Sequence, residues 1–166
     1  MGTNYLESVI KQMEYYKMLG EKTFAQLEDV ELFWQHHAFS NSIAIIVQHL
    51  HGNMLSRWTH FLTSDGEKTW RKRDQEFEPV IDSRAKLMEL WTEGWQLTMD
   101  TIGGLTAVDL SRIVHIRNEG HTVIDAINRQ LAHYPYHIGQ IVFIGTMIKG
   151  QDWKSLSIPR GQSQSF

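Results

Sequence analysis

The run RQLAHYPYHIGQ, residues 129–140, sets His133 and His137 four apart, with Arg129, Gln130 and Gln140 close by and Pro135 between them. On an α-helix, residues four apart differ by about 40° in azimuth and one turn in height, so both imidazoles can reach one point. Two neutral imidazoles at this spacing form a preorganised clamp for a divalent cation. On the same wheel Arg129, Gln130 and Gln140 fall within about 60° of His133, as do Ala126, Ile144 and Ile148, with Ile141 at about 80°. That face is apolar at both ends and polar in the middle. Such a stripe is costly inside a bundle unless its polar groups are bonded or ligated.

A third imidazole is the test of a metal site, and His49 in SIAIIVQHLHGNM supplies a candidate. It sits mid-way along a second helical run with Ile45, Ile46 and Asn53 on its stripe. His51 lies far around that helix and cannot share the ion. A lone histidine on such a stripe is more often an ordinary core group, but a matched pair elsewhere in the chain shifts the balance. The run also carries a second apolar stripe, Ile43, Val47, Leu50, Met54 and Phe61, turned by about 100–120°. It is expected to pack on a neighbouring helix or a second subunit. The chain has no cysteine, so thiolate ligands, disulfides and a protein thiol nucleophile are excluded.

Positioning these side chains takes four long helices. Helical apolar spacing predicts the first over 5–26 and the second from the capping pair Asn41-Ser42 to about Leu62. A third is predicted from Pro79-Val80 to Ile102, stopped by Gly103-Gly104. The fourth is predicted over 123–149, with Thr122 and Asp125 as its cap and Gly150 at its end. Alternating, β-branched Arg112–Arg117, then Asn118-Glu119-Gly120 and His121-Thr122-Val123, read as a short β-hairpin. Pro135 leaves the Leu131 carbonyl without its donor, so a bend that puts the His pair on the concave side is expected. The fold class is therefore all-α, a four-helix bundle with a small hairpin before the last helix, in one domain over 1–166 with an extended tail from about 151.

The net charge of −3 offers no nucleic-acid footprint. The one basic run, Arg71-Lys72-Arg73, is followed by Asp74, Glu76 and Glu78 and reads as a solvated loop. No apolar run approaches the roughly 20 residues of a membrane span, and Met1–Glu7 shows no leader pattern, so cytoplasm is the expected location.

Three neutral imidazoles would leave open positions on a cation, where a bound water or a substrate thiol is activated. Arg129 is the candidate for an anionic substrate group, Asn53, Gln130 and Gln140 for orienting bonds, and Arg160 in SIPRGQS for a tail folded across the open end. No carboxylate on the proposed face is an obvious general base.

His49 in its segment, HYPYHIGQ, INRQLAHYPYHIGQIVFI and WKSLSIPRGQS together resemble the DinB/YfiT-like superfamily of four-helix metalloproteins. The resemblance implies an up-down-down-up bundle, a nickel or zinc ion on His49, His133 and His137, and a homodimer. It also implies activities that range from transferases using low-molecular-weight thiols to isomerases and hydrolases. The expected function is a divalent-metal protein, with thiol transfer as the leading reaction. The alternatives are a metal-dependent hydrolase, a non-catalytic metal-binding or stress-response protein, and an interaction module.

Overall fold

Apolar residues at helical spacing set the first helix. Leu6, Val9 and Met13 are buried on one face of α1 (Gly2–Phe24), with Ile10, Tyr16 and Leu19 packed beside them. α2 (Ile43–Trp58) begins where the Ser42 hydroxyl accepts from the Ile45 amide at 3.2 Å. α3 (Arg84–Gly103) starts at the Ser83 cap, and α4 (Val123–Lys149) starts at Thr122, whose hydroxyl accepts from the Asp125 amide at 3.1 Å. The computed structural model describes residues 2–165, apart from the side chains of Thr3 and Ser165. The last residue of the expected tail, Phe166, lies outside the described residues.

The first helix begins and ends slightly earlier than the expected 5–26, and two other bounds differ more from the sequence expectation. Pro79 does not open α3, because Pro79 and Val80 lie outside any helix, with the Val80 amide donating back to the Glu78 carbonyl at 2.9 Å, and the true cap is Ser83, which satisfies the Lys86 amide. α2 stops at Trp58, and His60 turns to a positive φ of 51° where helix was expected to Leu62. α4 continues as one helix through Pro135.

Named contacts fix the direction of each helix. The Tyr5 hydroxyl donates to Asn128 at 2.8 Å and Thr23 lies against Gly145, so α1 and α4 run the same way. Arg84 donates to the Phe24 carbonyl at 3.1 Å while Gly2 abuts Ala107, so α3 is antiparallel to α1. His49 meets His133 and His137, and Arg57, two turns further along α2, comes under the field of Arg129, so α2 is antiparallel to α4. The result is an up-down-down-up bundle in which α2 packs along α3 and α1 along α4. α2 is buried almost all round. Its second stripe, Ile43, Val47, Leu50 and Met54, is at most 1% exposed within this one chain.

The hairpin precedes α4, as expected, but turns one residue earlier. β1 (Ile113–Ile116) pairs antiparallel with β2 (Glu119–Thr122), and the turn is Arg117-Asn118, with φ of 56° and 63°. Two consecutive positive φ values give the primed turn that matches strand twist. The Asp65 carboxylate accepts from the Arg117 and Asn118 amides at 2.9 and 2.8 Å, which pins the loop after α2 to the hairpin. After α4, Trp153 packs on Gly145, and the Lys154 backbone exchanges bonds of 2.8 and 3.1 Å with the Gln26 side chain just past the end of α1. Among the described residues, no helix is long and apolar enough to cross a membrane.

Candidate metal centre

α2 presents His49 and α4 presents His133 and His137 to one point. Nε2 of His133 lies 3.4 Å from Nε2 of His49 and 3.1 Å from Nε2 of His137. The ligand atoms of the three residues lie within 4.8 Å of one another, so this group could hold a metal ion. Two nitrogens each about 2.1 Å from one cation, at the roughly 90–110° angles of octahedral or tetrahedral ligation, are about 3.0–3.4 Å apart. Both observed separations fall in that range.

The protons strengthen the case. Nδ1 of His49 donates to Glu76 Oε2 at 2.9 Å, and Nδ1 of His137 donates to Gln140 Oε1 at 2.8 Å. A neutral imidazole that donates from one nitrogen carries a bare lone pair on the other. Nε2 of His49 and of His137 therefore both offer lone pairs, and a proton on His133 Nε2 could serve only one of them. Protonating His133 further is unfavourable. Its pKa is lowered to about 3, first by burial and then by charge on His137, His49, Arg71 and Arg57. Burial lowers His137 as well, against the opposing Gln140 bond. Lone pairs converging without protons are stabilised by a cation, and three imidazoles form a donor set suited to transition metals.

A second layer holds His49 in place. Burial opposes ionisation of Glu76, but its bonds to Arg71 and His49 outweigh burial and keep its pKa below the usual carboxylate range. Arg71 grips both Glu76 oxygens, Nε to Oε1 at 2.7 Å and Nη2 to Oε2 at 2.9 Å. Glu76 sits on a short 3-10 helix, Arg73–Phe77. Gln48 on α2 holds the end of that helix by donating to the Gln75 and Glu78 carbonyls at 3.0 and 2.9 Å. Phe77 stacks on the His49 ring with centroids 4.8 Å apart. Gly52 makes the approach possible, because a Cβ there would stand 2.7 Å from Glu76 Cδ. The expected solvated loop is thus corrected in part. Lys72, Arg73 and Asp74 are exposed, but the Arg71 and Glu76 side chains are only 4% and 9% exposed and build the site.

The three imidazoles open on a cleft of about 520 Å³. Of the other residues singled out from sequence, Asn53, Arg129, Gln130 and Gln140 line it. Asn53 and Gln130 are buried and Arg129 is exposed. Arg160 is exposed and is not among the lining residues, because the tail turns back onto α1 at Lys154. His51 stands apart and pairs with Glu93 at 2.8 Å. Sequence reasoning missed Glu76, Arg71, Phe77 and Arg57. One available signal was Gly52 itself, a glycine in mid-helix that costs about 1 kcal/mol relative to alanine unless something needs the space.

Over residues 1–162 the chain matches the model of the family described as Protein of unknown function (DUF1572) and belongs to that family. No curated protein matches it.

Proposed function

For this member of the DUF1572 family we propose a metal-dependent transferase in which His49, His133 and His137 hold a divalent ion, nickel or zinc, and the adjoining cleft admits a low-molecular-weight thiol and its acceptor. The observation that carries the reading is the convergence of Nε2 lone pairs whose Nδ1 hydrogens are already committed to Glu76 and Gln140. Structural zinc sites are closed by four protein ligands, whereas three leave positions for exogenous groups. When bound, the ion supplies Lewis acidity that lowers the pKa of a coordinated water or thiol toward neutrality. A chain without cysteine must receive its sulfur nucleophile from a cosubstrate.

The chain's own groups orient the site. Glu76 and Gln140 fix the imidazole tautomers, Arg71 keeps Glu76 ionised, and Phe77 shields one face of His49 from water. A hydrolytic reading fits less well. Glu67 is the carboxylate that lines the cleft, and it is shared between Arg71 and Arg117 at 3.5 Å each.

The test incubates the metal-loaded chain with cysteine or glutathione and an aryl halide and follows thiol consumption. Thiol loss is expected above the uncatalysed rate, absent after chelation and absent in His133→Ala. Equal rates in loaded and chelated protein would rule out metal-dependent thiol transfer.

A further inference from the structure

Five arginines line the cleft, Arg57, Arg71, Arg73, Arg117 and Arg129, against one carboxylate, Glu67. Three are engaged. Arg71 is held by Glu76, Arg117 lies 3.5 Å from Glu67, and Arg73 sits over the Phe77 ring at 5.4 Å. Arg57 is different. The residue is 5% exposed, and its Nε and Nη1 are buried without a hydrogen-bond partner. Burial lowers its pKa, the nearby charges of Arg129 and Arg71 add to that, and Tyr134 and Glu67, the latter already shared between Arg71 and Arg117, oppose it without reversing it. A buried guanidinium with unbonded nitrogens is among the costliest features a fold can carry.

The surroundings are built around this side chain. The loop after α2 passes over Arg57 at Gly66, where any Cβ would run into Nη1. Ser56 holds that loop by donating to the Gly66 carbonyl at 2.9 Å and accepting from the Lys68 amide at 3.1 Å. Seven buried side-chain polar atoms lack a partner among the described residues. Four of them belong to Arg57, Asn53 and Gln130, which all line this cleft. The unmet hydrogen-bonding capacity is concentrated where a ligand would lie.

Helical spacing gives the cleft a direction. His49, Asn53 and Arg57 follow one another at intervals of four along α2, and His137, His133 and Arg129 do the same down the antiparallel α4. Eight residues advance about 12 Å along a helix axis. The imidazoles therefore occupy one end and Arg57 and Arg129, which have no ion-pair partner among the described residues, the other, with the amides of Asn53 and Gln130 between.

We propose that this cleft takes a small molecule bearing a carboxylate or phosphate group, anchored by Arg57 with Arg129 beside it, whose far end reaches toward the three histidines. The planar guanidinium fork suits either oxyanion. The placement of the far end rests on the metal reading, but the anion anchor does not.

The experiment titrates the full-length chain with inorganic phosphate and with malonate at constant ionic strength, following heat of binding and Tm and measuring metal content in the same samples. Wild type is expected to bind at least one of the two saturably, and the tighter of them identifies the oxyanion. Arg57→Gln is expected to bind more than tenfold more weakly, keep its metal content, and show an unchanged or higher Tm in chloride, since an unpaired charge has been removed. Arg129→Gln is expected to weaken binding by less, and His133→Ala to lose metal while still binding the anion. Equal affinity in wild type and Arg57→Gln, no saturable binding of either anion, or an Arg57→Gln chain that melts lower or does not fold would each overturn the proposal. A wild-type chain that binds anion but holds no metal would refute the metal reading alone.

Discussion

Replacing Gly52 with alanine tests whether Glu76 positions His49. The added Cβ would stand 2.7 Å from Glu76 Cδ and 3.1 Å from Cγ. Ordinary carbon contacts are about 3.5–4.0 Å, so the carboxyl group must retreat by roughly 1 Å. Its bond to His49 Nδ1, now 2.9 Å, would then stretch past hydrogen-bonding range. Losing one charge-assisted hydrogen bond costs about 1.5–3 kcal/mol, while alanine in a helix interior returns about 1 kcal/mol. The net expectation is a loss of about 0.5–2 kcal/mol in urea denaturation of the chelated protein. Metal affinity is expected to fall about 10–100-fold, because an unsupported imidazole loses its orientation and basicity. A competition titration against a chromophoric chelator reads that affinity. Should Gly52→Ala instead stabilise the protein by the full helix-propensity gain and bind metal as tightly as wild type, the Glu76–His49 link would have no role.

Other consequences follow from the same contacts. The depressed pKa values of His133 and His137 mean that the unfolded chain binds more protons than the folded one below about pH 6.5. Stability of the metal-free protein should therefore be full above that pH and decline as pH falls toward about 3, with a smaller slope in His133→Ala; urea midpoints at pH 7.5, 6.5 and 5.5 measure it. Tyr134→Phe should cost about 1–3 kcal/mol, because the buried Trp58 indole now donates to the Tyr134 hydroxyl at 2.9 Å and would be left unpaired; metal content should not change. His51→Ala should keep full metal content, since His51 faces Glu93, and loss of the ion there would mean that the donor set is misassigned.

The sequence revealed the parts of the site that repeat with the helix. Apolar spacing and the caps at Ser42 and Thr122 placed α2 and α4, and intervals of four placed His133, His137 and Arg129 on one face. It did not reveal what comes from the segment between α2 and α3. There Arg71 and Glu76 look like neighbouring solvated charges, and only the fold turns them inward against His49. No periodicity marks that segment, because it is held by single bonds from Gln48, Ser56 and Asp65 to backbone groups far along the chain. The start of α3 was misplaced for a related reason. Pro79 is a plausible first helical residue, but Ser83 offers the hydroxyl that satisfies an amide. Arg57 was passed over because nothing local distinguishes a buried arginine from a surface one at the end of an amphipathic helix.

The most direct measurement is elemental analysis of tag-free protein purified without chelators, alongside His49→Ala, His133→Ala and His137→Ala. Close to one divalent transition-metal ion per wild-type chain and a substoichiometric amount in each variant are expected. A wild-type chain that neither carries nor takes up such an ion, or any of the three variants holding it at full stoichiometry, would contradict this expectation.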